Sequence, residues 1–353
     1  MKRLLLVGGG HAHALVLLRF RDFISKHLDV TLVTPRPAHV YSGMVPGVVA
    51  GHYAVSDAQI DLAKLSRQAG AELILGSALA LNAGGKEVHL DDGRAIPYDV
   101  ASLNLGSTPG WHGVPGAREH AIAAKPFEPF LAWWEKARQE EPRIAIAGAG
   151  AAGVELAMAM RFSGAREVVL YSDRNLFSRA VGERVMRSLG RLAIDYLADT
   201  PVRSVEAGPT VVSPAGRERF DALVWAAGPA SPALLRESGL KTDDAGFVLT
   251  DPALRSASHP EVFAAGDAAS MEGYAVPKSG VYAVRQGEVL ADNLKRLARG
   301  LQMRDFNPQA RSLSLISCGA KYAIASRGAW SAEGAWVWRW KDWIDRRWTA
   351  QFR

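Results

Sequence analysis

Twice in this chain a short apolar run meets a glycine cluster and then a helical apolar pattern, and few folds accommodate that order. Lys2 to Val7 reads as a central strand. It runs into Gly8-Gly9-Gly10, a helix with apolar spacing from Ala14 to Phe20, and a second strand from Val30 to Val33. The same grammar returns at Arg143 to Ala147, with Gly148-Ala149-Gly150, a helix through Arg161 and a strand from Glu167 to Tyr171. Each set is a βαβ unit. Two of them about 140 residues apart predict a weakly duplicated α/β chain with two nucleotide-binding domains.

The remaining pattern fills in around these units. Shorter strands are expected at Glu72 to Leu75, Glu87 to Leu90 and Val100 to Leu105, with turns at Gly84-Gly85 and Asp91-Asp92-Gly93. Trp111 to Pro129, rich in Gly and Pro, reads as a connection between domains. Helices are expected at Pro129 to Glu140, Gly182 to Ala198 and Val281 to Arg299, and a hairpin from Ser312 to Ser326 turning near Gly319.

Gly148-x-Gly150-x-x-Gly153 carries the clearest chemistry. Its glycines allow a tight turn, let backbone approach a pyrophosphate, and permit close helix–strand packing. The helix behind it supplies amide donors and a positive dipole end. The following strand ends Ser172-Asp173-Arg174. An acid at the strand end favours NADH and an arginine favours NADPH, so Ser172 and Arg174 leave the nicotinamide form open. The first loop, Gly8-x-Gly10-x-x-His13, lacks the third glycine, and its strand ends Thr34-Pro35-Arg36 without an acid. His11 and His13 are two residues apart and do not share a helix face. No carboxylate or thiol motif lies beside them, so packed or phosphate-facing histidines are expected and no metal site.

A third signal joins these two. Glu261-Val262-Phe263-Ala264-Ala265-Gly266-Asp267 reads as a strand running into Gly-Asp, whose acid can accept hydrogen bonds from a polyol. On this segment and the two glycine loops the chain resembles the two-dinucleotide flavoproteins, the pyridine nucleotide-disulfide oxidoreductase superfamily. Leu103 to Ser107 and Val224 to Gly228 match that superfamily's glycine-containing crossover strands. The resemblance implies two Rossmann-like domains of three-layer ββα type plus a small C-terminal region. FAD would be the resident cofactor and NAD(P)H the co-substrate. It assigns FAD to Gly8, Gly9, Gly10, His11, Ala12, Thr34, Pro46, Gly106, Gly266, Asp267, Ser279 and Gly280, with Asp267 on the ribityl chain. NAD(P) falls to Gly148, Ala149, Gly150, Ala151, Ala152, Gly153, Glu155, Ser172, Arg174 and Gly228. The expected division is residues 1–120 and 245–305 for FAD, 121–244 for NAD(P)H, and 306–353 for an interface or membrane-docking region.

Cysteine usage narrows the branch. Cys318 is the single cysteine, so this chain cannot build a redox dithiol, and disulfide reduction is disfavoured. Tyr41 to Gly51, and Pro277-Lys278-Ser279-Gly280 leading into Gln286-Gly287, resemble the flavin-flanking loop and flavin-facing helix of type II NADH:quinone dehydrogenases and sulfide:quinone reductases. Lys278 and Gln286 are the candidates for flavin or acceptor contacts, and no side-chain general base stands out. Val7 to His13, Tyr41 to Gly47 and Trp336 to Asp342 are also similar to a bacterial flavoprotein family often fused ahead of selenide, water dikinase, which brings selenium compounds among the conceivable acceptors.

Six tryptophans fall in the tail: Trp330, Trp336, Trp338, Trp340, Trp343 and Trp348. As a helix, Trp336, Trp340, Trp343, Ile344, Trp348 and Phe352 would share roughly one face. Tryptophan beside arginine suits a membrane interface. The other reading is packing onto the flavin domain or a dimer partner. Net charge is +6, a modest excess that suits anionic ligands or an anionic membrane surface, and no nucleic acid is expected. No apolar stretch approaches the roughly 18 residues of a spanning helix. The N-terminus does not read as a signal peptide, so a cytoplasmic protein is expected, peripheral on the inner face of the membrane if the tail docks there. The expected activity is hydride transfer from NAD(P)H to FAD and onward to a quinone. The alternatives are a soluble flavin reductase for dioxygen, a carrier protein or a selenium compound, and a non-catalytic flavin-bearing partner of selenophosphate synthesis.

Overall fold

The computed structural model describes residues 1–21, 23, 28–174 and 177–353. Two five-stranded parallel sheets carry the chain. The first runs in the order Val262–Ala264, Val100–Leu103, Lys2–Val7, Leu28–Thr34 and Glu72–Leu75. The second runs Ile122–Ala123, Ala222–Trp225, Arg143–Ala147, Glu167–Tyr171 and Asp195–Leu197. The central strands are buried without alternation, because helices or further sheet cover both faces. Antiparallel ribbons, Ala78–Asn82 with Glu87–Leu90 and Ala95–Pro97, and Ser204–Glu206 with Thr210–Ser213 and Gly216–Arg219, supply the third layer of each unit.

Helix His11–Phe20 packs along helix Gly280–Ala298. A Cβ on Gly287 would stand 2.9 Å from Ala12 Cα, so glycine there sets how closely the two backbones approach. Three expectations need correction. The helix expected over Gly182 to Ala198 spans Arg179–Arg191. The chain then turns through Ala193 at φ 50° and forms strand Asp195–Leu197, whose parallel pairing overrides its helical pattern. The strand expected over Val100 to Leu105 stops at Leu103, where Asn104 turns to other partners. The hairpin pairs Ser314–Ser317 with Ala323–Arg327 as expected, but a third strand, Trp330–Gly334, extends it.

The tail helix, Ala335–Ala350, corrects a face. It packs on the body, but through Val337, Trp338, Lys341, Asp345 and Thr349. Trp336 and Trp343 of the expected apolar face are 49% and 56% exposed, while Phe352 is buried. Two charges lie inward because they satisfy each other. Lys341 Nζ donates to Asp345 Oδ2 at 2.6 Å and to the Gly43 carbonyl at 2.6 Å, and Asp345 Oδ1 accepts from the Tyr41 hydroxyl at 3.2 Å. Tyr53 donates to Asp342 at 2.7 Å, and Trp348 stacks on Tyr41 with centroids 4.2 Å apart. The tail is thus fastened to residues 41–53. Removing one buried partner strands the other charge at a cost of about 3–5 kcal/mol. Lys341→Met should lower unfolding stability by about that amount, and the double change Lys341→Met, Asp345→Leu should recover most of it in urea denaturation.

Candidate functional site

The two glycine turns have the same construction. In the first, the Gly8 amide donates to Val33 and Asn104 donates to Val7; in the second, Gly148 donates to Tyr171 and Ala226 to Ala147. Each turn leads into a helix whose N-cap is a glycine, Gly10 or Gly150, which supplies no side-chain cap of its own. Gly148 sits at φ +104°, and a Cβ on Gly153 would lie 1.8 Å from the Gly148 carbonyl, so the second turn tolerates no larger residue in its present packing.

The first turn solves the same crowding differently. His13, in the third glycine's position, bonds through Nδ1 to the Gly8 carbonyl at 2.6 Å and through Nε2 to Ser102 Oγ at 2.9 Å. The carbonyl can only accept, so Nδ1 carries the proton and Nε2 accepts from the hydroxyl. Burial pushes this imidazole down to about 4, which keeps it neutral. Asn104 completes the network. Its Oδ1 accepts from the amides of Ala12 at 3.1 Å and His13 at 3.3 Å, and its Nδ2 donates to Ala265 at 2.8 Å. The packed-histidine expectation holds for His13. Asn104 and Ser102 were missed, although two polar residues inside an apolar strand pattern were the available signal.

Two segments expected at the flavin, His11 and the Gly280 helix start, meet. Gly280, at the N-terminus of its long helix and following Ser279, is placed so that a Cβ there would lie 2.9 Å from Ser42 Oγ and 3.9 Å from His11 Nε2. His11 Nδ1 meets His39 Nε2 at 3.2 Å, with Tyr41 and Trp348 ringing the pair. Burial holds His11 well below its ordinary value, with repulsion from His39 and Lys125 adding to it, and burial with Lys125 takes His39 to about 4. Pro46 is buried in the short helix Val45–Val49. Thr34 is buried under Gly9, and Gly106 follows the crossover at φ +73°. Asp267 accepts from Ser107 Oγ at 2.8 Å and from Lys125 Nζ at 3.1 Å.

The donor set suits a flavin dinucleotide. It offers glycine-loop amides for a pyrophosphate, a strand-end carboxylate for polyol hydroxyls, and a second helix N-terminus on the far side. Tyr41 opens the segment expected to flank the flavin, whereas His39 and Lys125 were not anticipated, since only tertiary folding brings them to the loop. Lys278 and Gln286 are turned to other tasks. The Lys278 ammonium bonds the Ala269 carbonyl and lies over the Phe247 ring, and burial lowers it to about 8. Gln286 accepts from the Gly266 amide at 2.6 Å and so steadies the Gly-Asp turn.

Beside the second loop lies a cavity of about 630 Å³ lined by Ala149, Val154, Phe177, Arg179, Arg187 and Tyr196, among others. Ser172 is buried at the strand end, Arg174 is exposed, and Gly228 accepts from the Gly110 amide. Ala151 and Ala152 begin the helix with exposed side chains. Glu155 turns toward the tail hairpin, accepting from the Ser317 amide at 2.7 Å. No helix among the described residues is long and apolar enough to cross a membrane.

The chain belongs to the pyridine nucleotide-disulphide oxidoreductase family, whose model matches residues 2–287. It is an NAD(P)H-dependent flavoprotein oxidoreductase, with FAD and NAD(P)H as its cofactors. It is 24% identical over 335 residues to the NADH dehydrogenase-like protein YutJ of Bacillus subtilis, covering 92% of this chain and 91% of that one. It is 22% identical over 368 residues to a type II NADH:quinone oxidoreductase of Staphylococcus epidermidis, covering 92% and 89%. Its fold matches the sulfide:quinone oxidoreductase of Aquifex aeolicus with a TM-score of 0.82 at 16% identity, over all of this chain and 92% of that one.

Burial raises Glu155 to about 7 despite Lys341 nearby. The folded protein therefore keeps a proton that the unfolded chain has already released between about pH 4.5 and 7, and stability falls as pH rises through that window. One pKa unit is worth about 1.4 kcal/mol, so this group should remove about 2–3 kcal/mol between pH 5 and 8. Glu155→Gln should flatten that part of the pH–stability profile in urea titrations.

Proposed function

We propose that the chain passes reducing equivalents from NAD(P)H through FAD to a quinone at a membrane surface. The carrying observation is the cysteine inventory. Cys318 is the single cysteine, buried in the hairpin with its thiol pushed up to about 12, so it is neither a thiolate nor part of a pair. The acceptor must then be a separate molecule. FAD, when bound, would supply the two-electron chemistry between nicotinamide and acceptor.

The chain's own residues bind and orient. Residues 1–120 and 245–305 hold FAD, with the amides of Gly9, Gly10 and His11 toward the pyrophosphate and Asp267 toward the ribityl hydroxyls. Residues 121–244 hold NAD(P)H on the amides of Gly148 to Ala151. Residues 306–353 close the far wall through Tyr41, Trp348 and the Lys341–Asp345 pair. Trp336 and Trp343 face outward beside Arg339 and Arg347, a pattern that suits lipid headgroups and brings a lipophilic acceptor to this wall. The similarity to type II NADH:quinone oxidoreductases supports the same acceptor.

The test is an anaerobic titration of the purified flavoprotein with reduced nicotinamide, followed by a short-chain quinone. A flavin band that bleaches with the nucleotide and returns with the quinone is expected. Reoxidation by dioxygen alone, with the quinone ignored, overturns the acceptor. Trp336→Ala, Trp343→Ala should also cut flotation with anionic vesicles at least severalfold.

A further inference from the structure

We propose that the second nucleotide site selects NADPH over NADH, with Arg174 and Arg179 holding the 2′-phosphate. The inference rests on the reading of the Gly148 loop as the NAD(P)H site.

The position that decides between the two nucleotides is the end of strand Glu167–Tyr171. A carboxylate there accepts both ribose hydroxyls and repels a 2′-phosphate. Here Ser172 occupies it, so no carboxylate stands at that position. Its amide donates to Leu197, its carbonyl accepts from Thr200, and its hydroxyl donates to the Arg174 carbonyl at 2.7 Å. The hydroxyl bond draws the backbone of Arg174 into a turn at the strand end.

Two guanidinium groups stand beyond that turn. Arg174 is exposed, and its nearest carboxylate, Asp173, is 3.8 Å away, at the outer limit of an ion pair. Arg179 opens helix Arg179–Arg191, is 94% exposed, and lines the cavity together with Ala149 of the glycine turn. Its partner is Glu183, one turn along at 3.1 Å. An exposed pair of this kind is weak. A phosphate dianion offers the same fork a stronger, charge-assisted contact and would displace it. Arg187 lines the same cavity but is held by Glu333 at 2.8 Å, which Arg184 shares at 2.9 Å. Arg187 therefore adds positive potential and is not assigned as a ligand. Asp173 and Glu183 oppose the effect. Both are solvated, and each has an arginine alongside.

The purified flavoprotein is titrated calorimetrically with adenosine 2′,5′-bisphosphate and with 5′-AMP. The bisphosphate is expected to bind at least tenfold more tightly. Arg179→Ala should bring the two affinities to within about threefold, with circular dichroism confirming the fold, and Arg179→Lys should retain part of the difference. Ser172→Asp should lower the bisphosphate affinity by a similar factor. Equal affinities in the wild type, or a preference for 5′-AMP, overturn the 2′-phosphate assignment and leave the nucleotide site standing. Binding of neither ligand overturns the nucleotide site and this proposal together.

Discussion

One buried amide, Asn104, ties together the parts of the molecule on which the flavin side depends. Its oxygen takes two amides at the start of helix His11–Phe20, and its nitrogen gives to the strand that ends in Gly266-Asp267. Through the Gly266 amide that strand is tied in turn to Gln286 of the long helix. A glycine loop, a crossover strand, an acidic turn and a helix N-terminus are thereby fixed against one another. Each polar atom has its partner, and a fully satisfied network of this kind specifies one arrangement where apolar packing alone would allow sliding.

The duplicated halves show what that network replaced. In the second half Gly153 and Ala226 leave bare backbone in contact. In the first, His13 and Asn104 fill the corresponding space with hydrogen-bonded side chains. A larger residue in the third position is therefore not evidence of a decayed motif. It is compatible with the loop because Ser102 and Asn104 of the neighbouring crossover receive it, and a reading of the loop alone could not register that.

Much of the fold was legible because its signals are local. Residues 2–7 and 143–147 are apolar without alternation, as central parallel strands must be, and the glycine turns follow them directly. The candidate site was legible where it lies on those turns or on short motifs such as Gly266-Asp267 and Tyr41 to Gly47. His39 and Lys125 reach it by tertiary folding and carry no motif. The tail misled for a physical reason. The sequence groups the tryptophans on one face, open to a membrane or to packing, and leaves the charges elsewhere, yet Lys341 and Asp345 lie inside because one turn of helix lets them neutralise each other beneath Tyr41. Composition ranks residues by solitary transfer to an apolar medium, and a pair is not solitary.

That same fastening has a consequence for how the protein comes into being. Tyr41 and Gly43 find their partners about 300 positions further along the chain. Domains form from the N-terminal end as synthesis proceeds. Both sheets can assemble while residues 335–350 are still unmade, so a nascent chain carries an open flank with Tyr41, His11 and the Gly43 carbonyl facing solvent. Until the tail emerges, that flank is open to small molecules and to solvent.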